Sequence, residues 1–235
     1  MTVPKIGMRA LALWAALVPL ATVNICFLVA ASLEHVPACI PYISGCTSVS
    51  STGRLAPERF VFLAGMLPSV VILAFFWQRS ATFVTLGGQI GLRVVALRVL
   101  GVIAALSLLV YALTLGSEDD GYRQLRRAGI NGFAVCTFLL QVLFIAFYRS
   151  MRIASTEKLW RWLLGLCVAL PLLSIAAEVV KVAGAPRHAA NNIVAWNAFV
   201  VASAWYAVVA RVWWHHEFSG HCDSTSPGRP TSPRE

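Results

Sequence analysis

An all-α bundle of six membrane-spanning helices, with both termini in the cytoplasm and an ordered first outer loop, is the fold class this sequence predicts. Composition excludes an ordinary soluble domain: 58% of the 235 residues are apolar and 12% are charged, against about 45–50% and about 25% in soluble chains. Six apolar runs each reach the roughly 20 residues that a hydrocarbon core requires. No segment between them is large enough to bury a core of its own, so residues 1–218 read as one membrane domain and 219–235 as a tail. The net charge of +9 does not mark a nucleic-acid binder. Its lysines and arginines stand in ones to fours at the edges of apolar runs and form no basic stripe.

The first run, residues 10–32, follows Lys5 and Arg9. A secretory h-region spans roughly 7–15 residues, and this run is longer, so it reads as the first span; Ala30-Ala31-Ser32 keeps a cleaved signal peptide as the alternative. Residues 33–58 then break every helical period with Pro41, Gly45, Gly53 and Pro57, while Ser44, Thr47, Ser48, Ser50, Ser51 and Thr52 supply hydroxyls for turns. Ile40, Tyr42 and Ile43 among them argue for an ordered loop. The remaining spans are expected at 59–77, 94–116, 129–148, 159–182 and 192–214. Pro227, Gly228, Pro230 and Pro233 among hydroxyl residues predict a flexible tail.

Six spans place both termini on one side, and basic residues choose which. The N-terminus, the second and fourth connections and the tail carry 12 lysines and arginines, and the other three connections carry 7. The positive-inside bias therefore predicts N-in and C-in. Trp77, Trp160, Trp162, Trp213 and Trp214 fall at the cytoplasmic ends of spans, where an indole belt is expected.

Polar groups concentrate on the opposite, outer side. Cys39 and Cys46 share the first outer loop, close enough to bridge in an oxidising compartment; closing so short a loop would contribute about 2.5 kcal/mol in the chain-entropy picture. Cys26, Cys136 and Cys167 sit inside apolar runs as packing residues. Glu178 and Lys181 are spaced i, i+3 at the outer end of the fifth span, which suits either an interfacial ion pair or a headgroup contact. Asn131, Asn191, Asn192, Asn197 and the run Glu118-Asp119-Asp120 map to the same side, whereas Asn24 and Gln141 lie deeper and are expected to hydrogen-bond between helices. His215, His216, His221 and Cys222 lack the spacing of a compact zinc module. Neither a metal nor another cofactor is implied, and no P-loop, nucleophile elbow or dinucleotide fingerprint is present.

Several of these stretches carry a resemblance. Ile40-Pro41-Tyr42-Ile43-Ser44 is similar to the proline-centred PYIS segment of the Frag/DRAM/Sfk family, and Ala56-Pro57-Glu58-Arg59-Phe60 to its PE or PER helix start. Gly116-Ser117-Glu118-Asp119 resembles the family's SSED end of the third span, and Glu217-Phe218 its closing acidic-aromatic pair. Two positions depart: Arg126 or Arg127 stands where members carry a histidine before the fourth span, and Ala195 where an acid precedes the aromatic Trp196. The family includes post-GPI-attachment remodelling proteins and damage-regulated autophagy modulators. The resemblance implies six helices, N-in and C-in, linked to lipid remodelling, lipid asymmetry or membrane trafficking.

The function expected is that of a membrane factor that handles or senses lipids, or a membrane-protein partner, through one outer surface. That surface comprises Pro41, Tyr42, Ser44, Glu58, Arg59, Glu178, Lys181, Asn191 and Asn192. Glu58 lies in the first turn of its helix, where a carboxylate complements the dipole. The rival is an enzyme remodelling acyl chains at the outer leaflet, with acid–base candidates His35, Glu58, Glu118, Asp119 and Asp120. A small-molecule transporter ranks third, because deep ionisable residues and an internal repeat are both lacking. Ala/Leu/Val/Arg-rich usage and short loops favour a bacterial inner membrane over a eukaryotic Golgi or plasma membrane.

Overall fold

A computed structural model describes residues 7–117, 119–150, 157–184 and 186–223, with side chains as far as Trp214. The described residues are helical throughout apart from connections, and six helices are long and apolar enough to cross a membrane. They are α1 (Met8–Ser32), α3 (Glu58–Leu86), α4 (Leu92–Thr114), α5 (Asp120–Ser150), α6 (Glu157–Val182) and α7 (Arg187–Asp223), with a one-turn α2 (Pro41–Ser44) in the first long loop. The chain is a multi-pass membrane protein by this measure. Neighbours run α1, α3, α4, α5, α6, α7 and back to α1, so the first and last long helices lie side by side.

Three helices run well past their apolar runs. Following the expected end at Trp77, α3 continues to Leu86 because Ser80, Ala81, Phe83 and Val84 still face the core. Similarly, α5 starts at Asp120, nine residues before the apolar run; α7 starts at Arg187 and continues to Asp223, five residues into the stretch read as a tail. Hydropathy locates what lipid covers, and backbone hydrogen bonds carry a helix past that limit. Pro19, Pro68 and Pro171 lie inside α1, α3 and α6 without ending them.

An aromatic cluster fills the half of the bundle away from the long loop. The Phe76 ring meets Trp77, Tyr206 and Trp213 at 4.9, 4.9 and 5.1 Å between centroids, and Phe144 meets Trp205 at 5.6 Å. Aromatic pairs of this kind add about 0.5–1.5 kcal/mol beyond area burial. Trp77 and Trp213 are each 1% exposed, so they are core residues and not members of an interfacial belt; the expectation followed from their position near run ends and missed the helix extensions that bury them. Trp160 and Trp214 do keep interfacial company, beneath the guanidiniums of Arg149 at 4.3 Å and Arg9 at 4.1 Å. Gly101 lets α3 and α4 approach closely, since a β-carbon there would lie 2.4 Å from Trp77 Cβ.

Candidate functional site

The ends at Ser32, Glu58, Thr114, Asp120, Val182 and Arg187 meet at one end of the bundle, beneath the loop of residues 33–57. That loop begins with a reversal: the amides of His35 and Val36 donate to the carbonyl of Ala30, with Glu34 in the left-handed region at φ 59°. The reversal returns His35 to the start of α3. There His35 Nδ1 lies 2.5 Å from Glu58 Oε1, with the glutamate 1% exposed and the histidine side chain 33% exposed. Glu58 Oε2 is buried and has no hydrogen-bond partner among the described residues. Cys26 Sγ contacts the Glu58 carbonyl at 3.7 Å, tying α1 to the same turn.

The last helix holds the loop down. Asn192 Nδ2 donates to Gly45 O at 2.8 Å, Trp196 Nε1 to Thr47 O at 2.9 Å, and Asn197 Nδ2 to Tyr42 O at 2.9 Å. Positions 192, 196 and 197 fall within about 140° of arc on a 3.6-residue helix, so one side of α7 satisfies three loop carbonyls that burial would otherwise leave bare. The Tyr42 hydroxyl donates to Asn24 Oδ1 at 2.9 Å, and its ring meets Trp196 edge-on at 5.2 Å. Gly45 makes the approach possible. It sits at φ 60°, and a β-carbon would stand 2.2 Å from the Ala189 carbonyl oxygen. Cys39 and Cys46 form a disulfide around this turn.

A cleft of about 660 Å³ opens beside the loop, between α5 and α7. Its basic wall is Arg54 from the loop and Arg123, Arg126 and Arg127 from α5; Ser48, Ser50 and Ser117 add hydroxyls, and Ile130, Ala195 and Phe199 form the apolar wall. Arg123 is engaged by Asp120 at 2.8 Å, and both are exposed. Arg126 Nη1 reaches the Ser117 carbonyl at 3.4 Å. Among the described residues no carboxylate lies within 4 Å of Arg54, Arg126 or Arg127. Deeper along the same helices the Phe144–Trp205 contact closes the gap.

No protein-family model, curated protein or solved structure matches this chain.

The expected site residues fall into three groups. His35 and Glu58 come together, as do Pro41 at the first position of α2, Tyr42, Asn192 and the disulfide in the clamped loop. Glu178, Lys181 and Asn191 form a separate link: Lys181 Nζ donates to Glu178 Oε1 and, at 3.0 Å, to Asn191 Oδ1, fastening the end of α6 to the start of α7. The Ser44 hydroxyl donates to the Ile40 carbonyl, and the side chain of Arg59 lies beside Gly116, toward Arg54. Asp119 is exposed and Asp120 pairs with Arg123, and among the described residues neither side chain makes a hydrogen bond or ion pair with His35 or Glu58. Glu118 and residues 224–235 lie outside the described residues, as do the side chains of His215, His216, Glu217, Phe218, His221 and Cys222. Of the deeper amides, Asn24 reaches the loop, whereas Gln141 is buried with neither amide atom partnered among the described residues, contrary to its expected interhelical bond.

The basic cleft, Trp196 and Asn197 were missing from the expected surface. A signal existed: Arg123, Arg126 and Arg127 are spaced i, i+3, i+4, which stacks three guanidiniums on one helix face. Counting them as flanking charge hid that face, because α5 was expected to start after them.

Proposed function

We propose that the protein is a membrane factor that handles or senses lipids in the leaflet at its loop-bearing end, which the asymmetry of basic residues makes the outer leaflet. The observation that carries this reading is the cleft between α5 and α7, where a basic rim and an apolar wall lie on two helices long enough to span a bilayer. A lipid presents the matching pair of surfaces. The resemblance of Ile40-Pro41-Tyr42-Ile43-Ser44 and Ala56-Pro57-Glu58 to the Frag/DRAM/Sfk family supports the same class of activity, and composition favours a bacterial inner membrane as its place. Lipid profiles and leaflet distributions of membranes with and without the protein test it. An altered distribution or acyl composition is expected; identical membranes would refute the reading.

A second reading rests on one specific contact. Glu58 Oε1 beside His35 Nδ1 fixes the imidazole so that Nδ1–H donates to the carboxylate and Nε2 is the basic nitrogen. No described hydroxyl or thiol bonds Nε2, so the attacking hydroxyl would belong to water or a lipid. In acyl transfer Nε2 would take that hydroxyl's proton as its oxygen bonds the ester carbonyl carbon, then return the proton to the departing alkoxide. Purified protein incubated with labelled lysolipid and an acyl-donor phospholipid separates the readings: product lost in His35→Gln makes the protein an enzyme, and no product leaves the factor.

A further inference from the structure

We infer that the cleft between α5 and α7 is a binding site selective for a phospholipid whose headgroup carries net negative charge, with the phosphate on Arg54, Arg126 and Arg127 and one acyl chain along Ile130 and Phe199. The inference rests on the lipid-handling reading above and names the lipid class. Its first ground is charge. Arg126 and Arg127 project from the first turns of α5 and Arg54 from the loop opposite, and no described carboxylate neutralises the three. Guanidiniums present planar pairs of N–H donors that match phosphate oxygens bidentately. The amino-terminal turn of α5 adds its dipole to the same rim.

Position and size supply the other grounds. A zwitterionic headgroup would bring a cation that cancels its phosphate to a rim with three guanidiniums that no described carboxylate neutralises, whereas a headgroup of net negative charge leaves an excess of anion for them, so selectivity follows from the surplus of arginine. The apolar wall continues from Ile130 on α5 and Phe199 on α7, both within spanning helices, toward the aromatic closure at Phe144 and Trp205. A free inorganic anion has no use for that wall. The volume, about 660 Å³, lies inside the range of roughly 300–1,000 Å³ typical of small-ligand sites, which accommodates a headgroup and the upper part of one chain.

The test uses the full chain in nanodiscs and in detergent, with phosphatidylglycerol, phosphatidylcholine and inorganic phosphate as probes and bound lipid counted by native mass spectrometry. Wild-type protein is expected to hold phosphatidylglycerol at least tenfold more tightly than phosphatidylcholine, with the preference shrinking as salt rises. Arg126→Gln/Arg127→Gln should abolish the preference, and Arg126→Lys/Arg127→Lys should retain part of it. Phe199→Trp leaves every charge in place and narrows the apolar wall, so reduced retention of phosphatidylglycerol in that variant reports the chain's position even where the arginine variants fold poorly. Equal binding of both lipids, abolished by Phe199→Trp, would overturn the selectivity and leave the lipid-handling reading standing. Competition by inorganic phosphate as effective as that of phosphatidylglycerol would make this a site for a soluble anion and overturn the inference. Retention of neither lipid would overturn the inference and the reading together.

Discussion

Glu58 departs furthest from what its position in the chain suggests. In a first helical turn an exposed carboxylate contributes about 0.3–1 kcal/mol by complementing the dipole, yet this one is buried, with one oxygen on His35 and the other without a partner among the described residues. Removing a buried hydrogen-bonded partner costs about 1–3 kcal/mol. His35→Ala strands the buried Glu58 carboxylate and should therefore lower stability by about that amount in detergent melts, and Glu58→Ala by less, because the imidazole it leaves behind is partly in solvent. A double-mutant cycle should return a positive coupling; strict additivity would mean that the 2.5 Å contact contributes nothing. Gly45 gives a sharper test. Gly45→Ala places a β-carbon against the Ala189 carbonyl in a left-handed conformation that itself costs about 1–3 kcal/mol. Limited proteolysis should then cut the loop of residues 33–57 faster than in wild type, and unchanged cutting would detach Gly45 from the docking.

The element that organises the loop-bearing end is α7. Trp196→Phe keeps the ring against Tyr42 and deletes one donor to the loop, and Asn192→Ala deletes another; each should cost about 1 kcal/mol. Together they should cost less than the sum, since the first loss already loosens the second contact. All six long helices were legible, because 20 apolar residues with basic flanks have few other fates. Their ends were not. The turns at 78–86 are helical because Ser80, Ala81, Phe83 and Val84 pack on the core, a fact of tertiary structure that a hydropathy window averages away, whereas 120–128 is a largely exposed polar extension that hydropathy does not register at all. Trp77 and Trp213 were misplaced for the same reason: a tryptophan near the end of an apolar run lies nine or ten residues from the end of its helix.

For the whole molecule, orientation is the first quantity to measure. With 12 basic residues assigned to one side and 7 to the other, a cysteine replacing Ser50 should react with an impermeant reagent in intact cells and one replacing Ser155 should not. The reverse pattern would turn the cleft toward the cytoplasm. Parts of the site were legible singly: His35, Glu58, Tyr42 and Asn192 drew notice as polar residues among apolar ones. Their grouping was not, because it depends on which helices are neighbours. Arg54 and Phe199 meet across one cleft only because α5 and α7 stand apart at this end while their rings touch at the other.

The bonds that fasten the loop join residues 147, 149 and 155 positions apart. A ribosome adding about 5–20 residues per second needs roughly 7–30 s to supply the second partner after the first. Throughout that interval the first loop lacks the three α7 donors that satisfy its carbonyls in the finished fold. The finished surface is thus a late event in biosynthesis, contingent on insertion of the final helix. A chain that stalls before Asn192 would display an undocked loop, a ready mark by which a membrane protease could distinguish incomplete copies from complete ones.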